Sequence, residues 1–373
     1  LEAAAAKSPT VAKLTALAEA GKLDLNQPIA KYAPRVTPCL GRVTMHQLLS
    51  HTAGMRDEAA MDGPHDDAAL ERTVLGWKDD VCMANAGRVF SYSNLGYGVA
   101  GYVMEQVTAK PFADIVRDLV LTPTGMRTST YRPLQAMTFP LALGHHPRDK
   151  IVRPFADHSG TWPAGSLFSS VNEMARFAIA LMDGGKIGGE QALPAAVVAR
   201  ITSAKTPISA MDREYGYGLE LSTEDGLPAI RHTGGRIGYG SVVHLLPSRR
   251  VGVIVLVNST SLPNRLARKV AQLAAGVTPE RGSAQPESTS VADRVAARIA
   301  GTYVNSAAIR TTLEIRDGQL QLQFAGRWFP VRQLGPDRFG AKGAAQLQDF
   351  RILDGANGNP EFLVAEMWAL RRR

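Results

Sequence analysis

The chain has 373 residues, of which 45% are hydrophobic and 20% charged, a composition typical of an ordinary globular protein with room for two or three domains. Its formal net charge is +8, but the lysines and arginines are scattered and form no recognition motif, which argues against nucleic-acid binding. No apolar run approaches the roughly 20 residues needed to span a bilayer, and the first residues lack the pattern of a signal peptide.

The first predicted element is a helix that begins near Ala4 and stops at Gly21, because glycine adopts the left-handed conformation of a helix end without strain. Residues three apart on a helix point the same way, so Lys7 is expected to lie beside the side chain of residue 4. The apolar residues of this segment recur at helical spacing and predict one buried face: Val11, Leu14, Leu17 and Ala18.

The next predicted elements are short. Thr44 is expected to cap a short helix that carries Leu48 and Leu49 inward, and His51 just after it is assigned a structural role. The polar segment 56–86 predicts a helical or irregular insertion near a cleft, where such loops often shape substrate choice.

Two cysteines, Cys39 and Cys82, lie in this part of the chain, 43 positions apart. They have no C-x-x-C spacing and no neighbouring histidine pattern, so neither a metal site nor a redox motif is expected. The two residues do not fix the redox compartment. We expect no metal and no cofactor.

Two further stretches carry side chains with catalytic chemistry. Tyr92-Ser93-Asn94 precedes a helix predicted to run through Val107. Arg231-His232-Thr233-Gly234-Gly235 follows a predicted strand at 215–219 and precedes two apolar strands at 240–246 and 251–257. Its small residues allow close approach of backbone to a substrate, as on an edge strand beside a cleft.

Between these stretches the sequence predicts a helix from Val171 to Met182. Ser170 and Glu173 have the three-residue separation of a capping box, in which the serine side chain and the glutamate side chain each accept a bond from the other residue's backbone. This helix is predicted to stop at Gly184-Gly185.

The last hundred residues have a different character. Residues 277–290 are rich in proline, serine and charge and predict a linker, followed by a short helix at 291–300. Asp317-Gly318 separates two alternating segments, at 311–316 and 319–324, which is a strong hairpin signal. Further strands are predicted around 328–331, 350–353 and 362–370, so the chain is expected to end in a small antiparallel β-domain.

Three of these motifs, in this order and spacing, resemble those of the penicillin-recognising serine hydrolases, which include class C β-lactamases, family VIII esterases, DD-peptidases and D-aminopeptidases. The family's S-x-x-K motif is matched by residues 4–7, with Ala4 in the serine position and Lys7 in the lysine position. Its Y-S-N motif is matched by Tyr92-Ser93-Asn94, and its K-T-G strand by His232-Thr233-Gly234. The resemblance covers about residues 1–275.

The resemblance implies an α/β fold, with a β-lactamase/transpeptidase-like antiparallel sheet flanked by helices and a C-terminal antiparallel, lipocalin-like β-barrel. We therefore expect a hydrolase domain at 1–276, a linker at 277–290 and a barrel domain at 291–373. Family members place strands of the main sheet ahead of the S-x-x-K helix, and this chain begins without them. An N-terminal fragment or an oligomer partner is expected to complete the sheet.

The resemblance also assigns roles to residues of the site. Tyr92 is expected to be the general base, because a neighbouring Lys7 ammonium would favour its charged form. Asn94 would bond the substrate's acyl side chain or help to place Lys7, and the backbone N–H groups of residue 4 and Gly235 would bind the oxyanion. His232 and Gly235 would line the acyl pocket, and Gly234 between them is also assigned to substrate binding. Histidine in place of the usual lysine favours an esterase or peptidase over a β-lactamase.

Ala4 has no atom that can attack a carbonyl group, and nearby hydroxyls do not replace it. Ser8 is one residue after Lys7 and five before Lys13, and on a helix these spacings place neither lysine side chain next to its hydroxyl. Thr10 keeps the three-residue step to Lys13, but it shifts the motif by six residues into the middle of the helix. Ala4 therefore indicates an inactivated form, whether by substitution, by a designed spacer of the E-A-A-A-K type, or by natural loss of the serine.

Two classes of function follow. The first is a serine hydrolase that acts through an acyl-enzyme on small-molecule esters or peptide and amide bonds, either an esterase or a D-amino-acid or linear-peptide peptidase, inactivated at Ala4. The alternatives are a catalytically dead binding or scaffold protein, and a β-lactamase proper. The resemblance favours a periplasmic or secreted location.

Overall fold

The computed structural model describes residues 2–3, 7–58, 60, 62–146, 150–153, 157–203, 206–208, 213–278 and 288–373. Its helices are α1 (Lys7–Glu19), α2 (Pro38–Gly41), α3 (Met45–Leu49), α4 (Ala69–Gly76), α5 (Asn94–Thr108), α6 (Phe112–Val116), α7 (Pro133–Ala136), α8 (Val171–Met182), α9 (Ala195–Ser203), α10 (Asn264–Ala274) and α11 (Asp293–Ile299). None of the helices in these ranges is both long enough and apolar enough to cross a membrane.

The strands are β1 (Glu2–Ala3), β2 (His145–His146), β3 (Lys150–Ile151), β4 (Leu167–Phe168), β5 (Lys186–Ile187), β6 (Glu190–Gln191), β7 (Thr206–Pro207), β8 (Glu214–Tyr215), β9 (Glu220–Glu224), β10 (Leu227–Arg236), β11 (Tyr239–Leu246), β12 (Val251–Val257), β13 (Thr289–Ser290), β14 (Gly301–Val304), β15 (Arg310–Arg316), β16 (Gln319–Phe324), β17 (Arg327–Pro330), β18 (Arg332–Gln333), β19 (Arg338–Gly340), β20 (Asp349–Asp354), β21 (Pro360–Ala365) and β22 (Trp368–Arg372).

Helix α1 has the buried face that its sequence predicts. Val11 and Leu14 have no exposed surface and Leu17 is 3% exposed. The helix ends as expected at Gly21, which has φ +68°, and the N–H of Lys22 donates to the carbonyl of Leu17 to close the last turn. Residues 4–6, which carry the predicted nucleophile position, lie outside the described residues.

The main sheet has six antiparallel strands in the order β12-β11-β10-β9-β8-β7. Helices α8 and α10 pack against β11 and β12, and every residue of β11 is buried. Strand β12 lies at one edge of this sheet, where among the described residues it pairs only with β11. Helix α10 beside it leaves Leu266, Val270 and Leu273 between 41% and 70% exposed. Exposed apolar side chains of α10 therefore lie beside this edge of the sheet.

A second, ten-stranded antiparallel sheet contains β13 to β22 and has its own apolar core, centred on side chains such as Phe339, Phe350 and Leu322. The predicted hairpin is confirmed: β15 and β16 pair across Asp317 and Gly318, which have φ of +49° and +72°. The large antiparallel sheets and flanking helices confirm the α/β class.

One predicted strand, at 362–370, is wrong. The structure has two strands there, β21 and β22, which pair with each other across a tight turn at Glu366 and Met367. Glu366 adopts φ +42°, a left-handed conformation that usually selects glycine or asparagine. The turn has neither residue, so the local sequence contained no signal for the chain reversal.

The capping box predicted for α8 is only half formed. Ser170 Oγ accepts a hydrogen bond from the Glu173 N–H, as expected. The Glu173 carboxylate instead accepts bonds from the Thr128 N–H and from Ser129 Oγ, so it ties the helix to a neighbouring loop. The complete capping box lies at α3, between Thr44 and Gln47.

The two cysteines form a disulfide bond, Cys39–Cys82, which the sequence spacing did not predict. It joins the segment before α3 to the polar insertion. In its described part that insertion contains α4 and a short 3₁₀ helix, Asp79–Val81, and is otherwise irregular, in agreement with the prediction for residues 56–86.

Candidate active site

A cleft of about 670 Å³ opens between strand β10, the start of α5 and the β21–β22 turn. It is lined by residues that the sequence selected from two separate motifs: Tyr92, Asn94, His232, Gly234 and Gly235. Strand pairing positions the last two, since Gly234 lies opposite Ser241 and Gly235 opposite Gly240 on β11. The structure therefore brings both motifs to one surface, although nearly 140 positions separate them in the sequence.

Lys7 lies behind this cleft at the start of α1. Its side chain is 1% exposed, and among the described residues its Nζ has no hydrogen-bond partner. Nζ instead lies over two aromatic rings, 3.6 Å from the centroid of Tyr92 and 4.7 Å from that of Tyr97. Burial lowers the pKa of Lys7 to about 7, although the negative charge of Asp57 acts in the opposite direction. A large fraction of Lys7 is therefore an uncharged amine at neutral pH.

The environment of Tyr92 differs from the one that was expected to favour its phenolate. Burial, and after it the negative charge of Asp57, raise the pKa of Tyr92 well above its ordinary value. The phenolate is therefore disfavoured, because the Lys7 ammonium that was expected to stabilise it is itself partly deprotonated and faces the ring rather than the hydroxyl. This environment suits Tyr92 as a neutral hydroxyl that relays or donates a proton, and Lys7 as the base.

His51 lies at the centre of an aromatic cluster rather than in the cleft. Its ring centroid is 4.3 Å from Tyr92 and 4.7 Å from Tyr215, and its Nδ1 accepts a hydrogen bond from the Ser93 N–H. Burial, then the charges of Lys7 and His232, lower the pKa of His51 well below its ordinary value. A neutral His51 therefore holds the Tyr92 ring and the loop before α5 in place.

His232 is 4% exposed on β10, and its Nε2 lies 3.2 Å from the hydroxyl of Tyr215. Tyr215 in turn packs edge-on against Tyr92, so the histidine is joined to the same aromatic cluster as Lys7. Among the described residues, an added Cβ at Gly235 would meet Leu262 Cδ2 at 3.4 Å, which is an ordinary contact. The described part of the chain therefore does not by its packing require glycine at this cleft-facing position.

Two residues of the site were missed by sequence reasoning, Asp57 and Trp368. Asp57 is 8% exposed, and its Oδ1 accepts bonds from the backbone N–H of Asn94 at 2.7 Å and from Asn94 Nδ2 at 3.1 Å. Its Oδ2 accepts a bond from Trp368 Nε1 at 3.2 Å. The only local signal was the position of Asp57 three residues after Gly54, and nothing in the sequence linked it to Trp368.

The far end of the cleft is charged. The Glu220 carboxylate accepts bonds from Arg231 at 2.8 and 3.0 Å and from Arg213 at 3.2 Å. Burial raises the pKa of Glu220 to about 7, against the opposing effect of Arg213. Glu366, on the β21–β22 turn, completes this end. The lining of the cleft thus includes a charged group as well as the motif residues.

The cleft is not the largest cavity. One of about 1140 Å³ lies between the polar insertion and the C-terminal strands and is lined by arginines, including Arg42, Arg88 and Arg371. We place the site at the smaller cleft because the buried Lys7 and the motif residues converge there. In the described part of the chain, no group of three or more His, Cys, Asp or Glu side chains is arranged to hold a metal ion.

A protein-family model described as Beta-lactamase matches residues 3–277. Penicillin-binding protein 4 of Amycolatopsis lactamdurans is a similar curated protein, 29% identical over 316 residues that cover 80% of this chain and 82% of the relative. Several other curated relatives are matched over less than half of their own length.

Among solved structures, SurE is similar to this chain with a TM-score of 0.81, and SurE with D-Leu with a TM-score of 0.79. Both are 23% identical, and the match covers 100% of this chain and 86 to 87% of those chains. An octameric penicillin-binding protein homologue from Pyrococcus abyssi has a TM-score of 0.66 at 21% identity, covering 99% of this chain and 87% of its own. At these identities the likeness establishes the fold.

Proposed function

The chain belongs to the beta-lactamase family of serine hydrolases, and from that premise we propose that it is an acyl-enzyme hydrolase whose nucleophile position, residue 4, holds alanine. The observation that carries the proposal is the buried Lys7 amine, which has no hydrogen-bond partner among the described residues and lies against Tyr92 beside the cleft. A buried, unpaired amine is costly for folding, so a catalytic role gives a reason for its presence.

In the form with serine at position 4, neutral Lys7 takes the proton of the serine hydroxyl as its oxygen attacks the substrate carbonyl carbon. The backbone N–H groups of residue 4 and Gly235 bind the oxyanion of the tetrahedral intermediate. Collapse of the intermediate breaks the bond to the leaving group, which receives the Lys7 proton through the Tyr92 hydroxyl. Water then attacks the acyl ester in the same way and releases the acid.

We propose esters or peptide and amide bonds as substrates, with D-configured residues in the acyl or leaving part. His232 in the K-T-G strand, the charged wall at Glu220 and Arg231, and the similarity to SurE, whose structure contains D-Leu, support this class. His232 offers no permanent cation for a β-lactam carboxylate, which makes a β-lactamase proper the less favoured alternative.

A substrate panel tests this class. With Ala4→Ser in place, p-nitrophenyl esters and D-amino-acid amides should be cleaved faster than cephalosporins, because the pocket has His232 where β-lactam recognition uses a lysine. Initial rates are compared at equal enzyme concentration, with the original Ala4 chain as the background control. Cephalosporin cleavage far above both other classes would refute the role given to His232.

The second candidate is a binding or scaffold protein. It is favoured by Ala4 alone, since backbone N–H donors survive the loss of a side chain and the cleft keeps its shape. Against it, Lys7 costs stability wherever it is protonated, and a protein that only binds has no chemical need for that cost.

We also propose the division into a hydrolase domain at 1–276, a linker at 277–290 and a lipocalin-like barrel at 291–373. Separate apolar cores on either side of the linker support it. Most of the linker itself, residues 279–287, lies outside the described residues.

We further propose that an N-terminal fragment or an oligomer partner adds to the edge strand β12. The exposed apolar residues of α10 beside that edge support this proposal. The chain alone is expected to self-associate or to need an added fragment, and light scattering coupled to size exclusion measures its mass. A monomer that melts in one cooperative transition contradicts the proposal.

A further inference from the structure

The carboxylate of Asp57 is buried where the catalytic domain meets the C-terminal sheet. Three N–H groups donate to it, two from Asn94 and one from Trp368. No arginine or lysine forms an ion pair with it within the described ranges, and the adjacent Arg56 pairs instead with Glu58 and Asp80. Asp57 is therefore well hydrogen-bonded but is not neutralised by a partner in contact with it.

The C-terminal sheet fixes Asp57 from two directions. Trp368, the first residue of β22, donates to its carboxylate, and the side-chain oxygen of Asn305 accepts a bond from its backbone N–H at 2.7 Å. Asn305 also donates to Ser91 Oγ at 3.2 Å and to the Ala369 carbonyl at 2.9 Å. Residues after β14 and at the start of β22 thus clamp the segment that precedes the active-site cleft.

The same sheet also contacts the motif tyrosine. The backbone N–H of Tyr92 donates to the carbonyl of Met367 at 2.7 Å. Asn94, the last residue of that motif, is held by Asp57 through both its backbone and its side chain. The β21–β22 turn therefore supports the Tyr92 end of the motif, and Trp368 of β22 reaches the Asn94 end through Asp57.

We propose that Asp57 is a positioning residue through which the C-terminal sheet acts on the catalytic centre: it anchors Asn94, serves as the buried counter-charge of Lys7, and is held in place by Trp368 and Asn305. The inference rests on the proposed function in one respect, the assignment of Lys7 as the catalytic base. Asp57 itself touches no reacting atom.

The electrostatic part of this role follows from the groups that face Lys7. Tyr92 and Tyr97 present ring faces to Nζ, and His51 is neutral because burial lowers its pKa well below the ordinary value. Asp57 is the group whose negative charge favours protonated Lys7, against the opposing effect of burial. Removing that charge should leave burial unopposed and make Lys7 a weaker base that is more fully deprotonated at neutral pH.

The test is an NMR titration of lysine labelled with ¹³C at Cε, in the full chain as it stands, with Lys7→Met used to identify the Lys7 signal. We expect Asp57→Asn to lower the pKa of Lys7 by about one to two pH units. Asp80→Asn is the matched control, since the Asp80 carboxylate is exposed and pairs with Arg56, the residue next to Asp57 in the sequence. This variant should leave the Lys7 titration unchanged. Thermal melting of each variant verifies that it is folded.

Trp368→Phe separates the contribution of the C-terminal sheet, because it keeps an aromatic ring and removes the donor to Asp57. It should shift the Lys7 pKa by a smaller amount than Asp57→Asn does, because Asp57 keeps its charge and loses one of the donors that hold it in place. A folded Asp57→Asn with an unchanged Lys7 titration would overturn the counter-charge role, and an unchanged titration in Trp368→Phe would overturn the role of the sheet. The titration needs no turnover, so its result does not depend on catalysis. The proposal for Asp57 can therefore fail while the proposed function holds, and the proposed function can fail while the proposal for Asp57 holds.

Discussion

Replacing Ala4 with serine should raise ester or amide hydrolysis by a factor on the order of 10⁶, because the loss of a nucleophile from a concerted site typically costs about that much. Lys7 already lies against Tyr92 beside the cleft, and the substitution supplies the attacking oxygen. The measurement is the initial rate on the best substrate of the panel, for the two chains at equal concentration.

The matched control is Ala5→Ser, which introduces the same hydroxyl one position out of register with Lys7. In the helical register that the sequence predicts, residue 5 points away from the lysine, so this substitution should give no gain. In the Ala4→Ser background, Tyr92→Phe should remove most of the restored activity by deleting the proton relay. Equal gains from Ala4→Ser and Ala5→Ser would show that the three-residue spacing to Lys7 is irrelevant.

Replacing Lys7 with methionine should have two opposite effects. In the Ala4→Ser background it should lower kcat/KM by up to roughly 10⁴-fold, the upper range for loss of a general base. In the original chain it should stabilise the fold by an amount on the order of 4 kcal/mol at or below pH 7, because methionine fills a similar volume without a buried charge.

The sign of the pH dependence follows from the direction of the Lys7 pKa. The folded value is about 7 and the reference value is 10.5, so between these limits the unfolded chain binds the proton that the folded chain has lost. The stability of the original chain should therefore rise with pH across this window, and the advantage of Lys7→Met should shrink from pH 7 towards 10.5. Chemical denaturation at several pH values measures it, and a constant difference would contradict a buried, titrating Lys7.

The same titration sets the pH profile of the restored enzyme. Catalysis needs the neutral amine, so kcat/KM should rise with pH through about 7 as Lys7 loses its proton. In the Ala4→Ser background, Asp57→Asn should move this rise to lower pH.

Local patterns predicted most of the fold. The buried face of α1, its end at Gly21 and the Asp317-Gly318 hairpin all follow from residues within one element, and each is present. The family motifs also predicted which residues line the cleft. These features are encoded over short stretches of sequence, where periodicity and turn chemistry act directly.

Long-range contacts could not be predicted in this way. The bond from Trp368 to Asp57 joins residues 311 positions apart, and the disulfide joins Cys39 to Cys82 without a recognisable spacing. The direction of the Tyr92 pKa could not be predicted for the same reason, since it depends on burial and on Asp57, which only the packed structure brings together. The contribution of the C-terminal strands to the cleft likewise depends on the unsignalled turn at Glu366.

The most direct test of the central claim, that residue 4 is the nucleophile position of a Lys7-activated site, is covalent labelling of the Ala4→Ser chain with a fluorophosphonate. Mass spectrometry of the peptide that contains residue 4 locates the adduct. We predict one label, on the introduced serine, which is lost when Lys7 is also replaced by methionine and absent from the original chain. A label on Thr10, or no label on a folded Ala4→Ser protein, would contradict the register of the site.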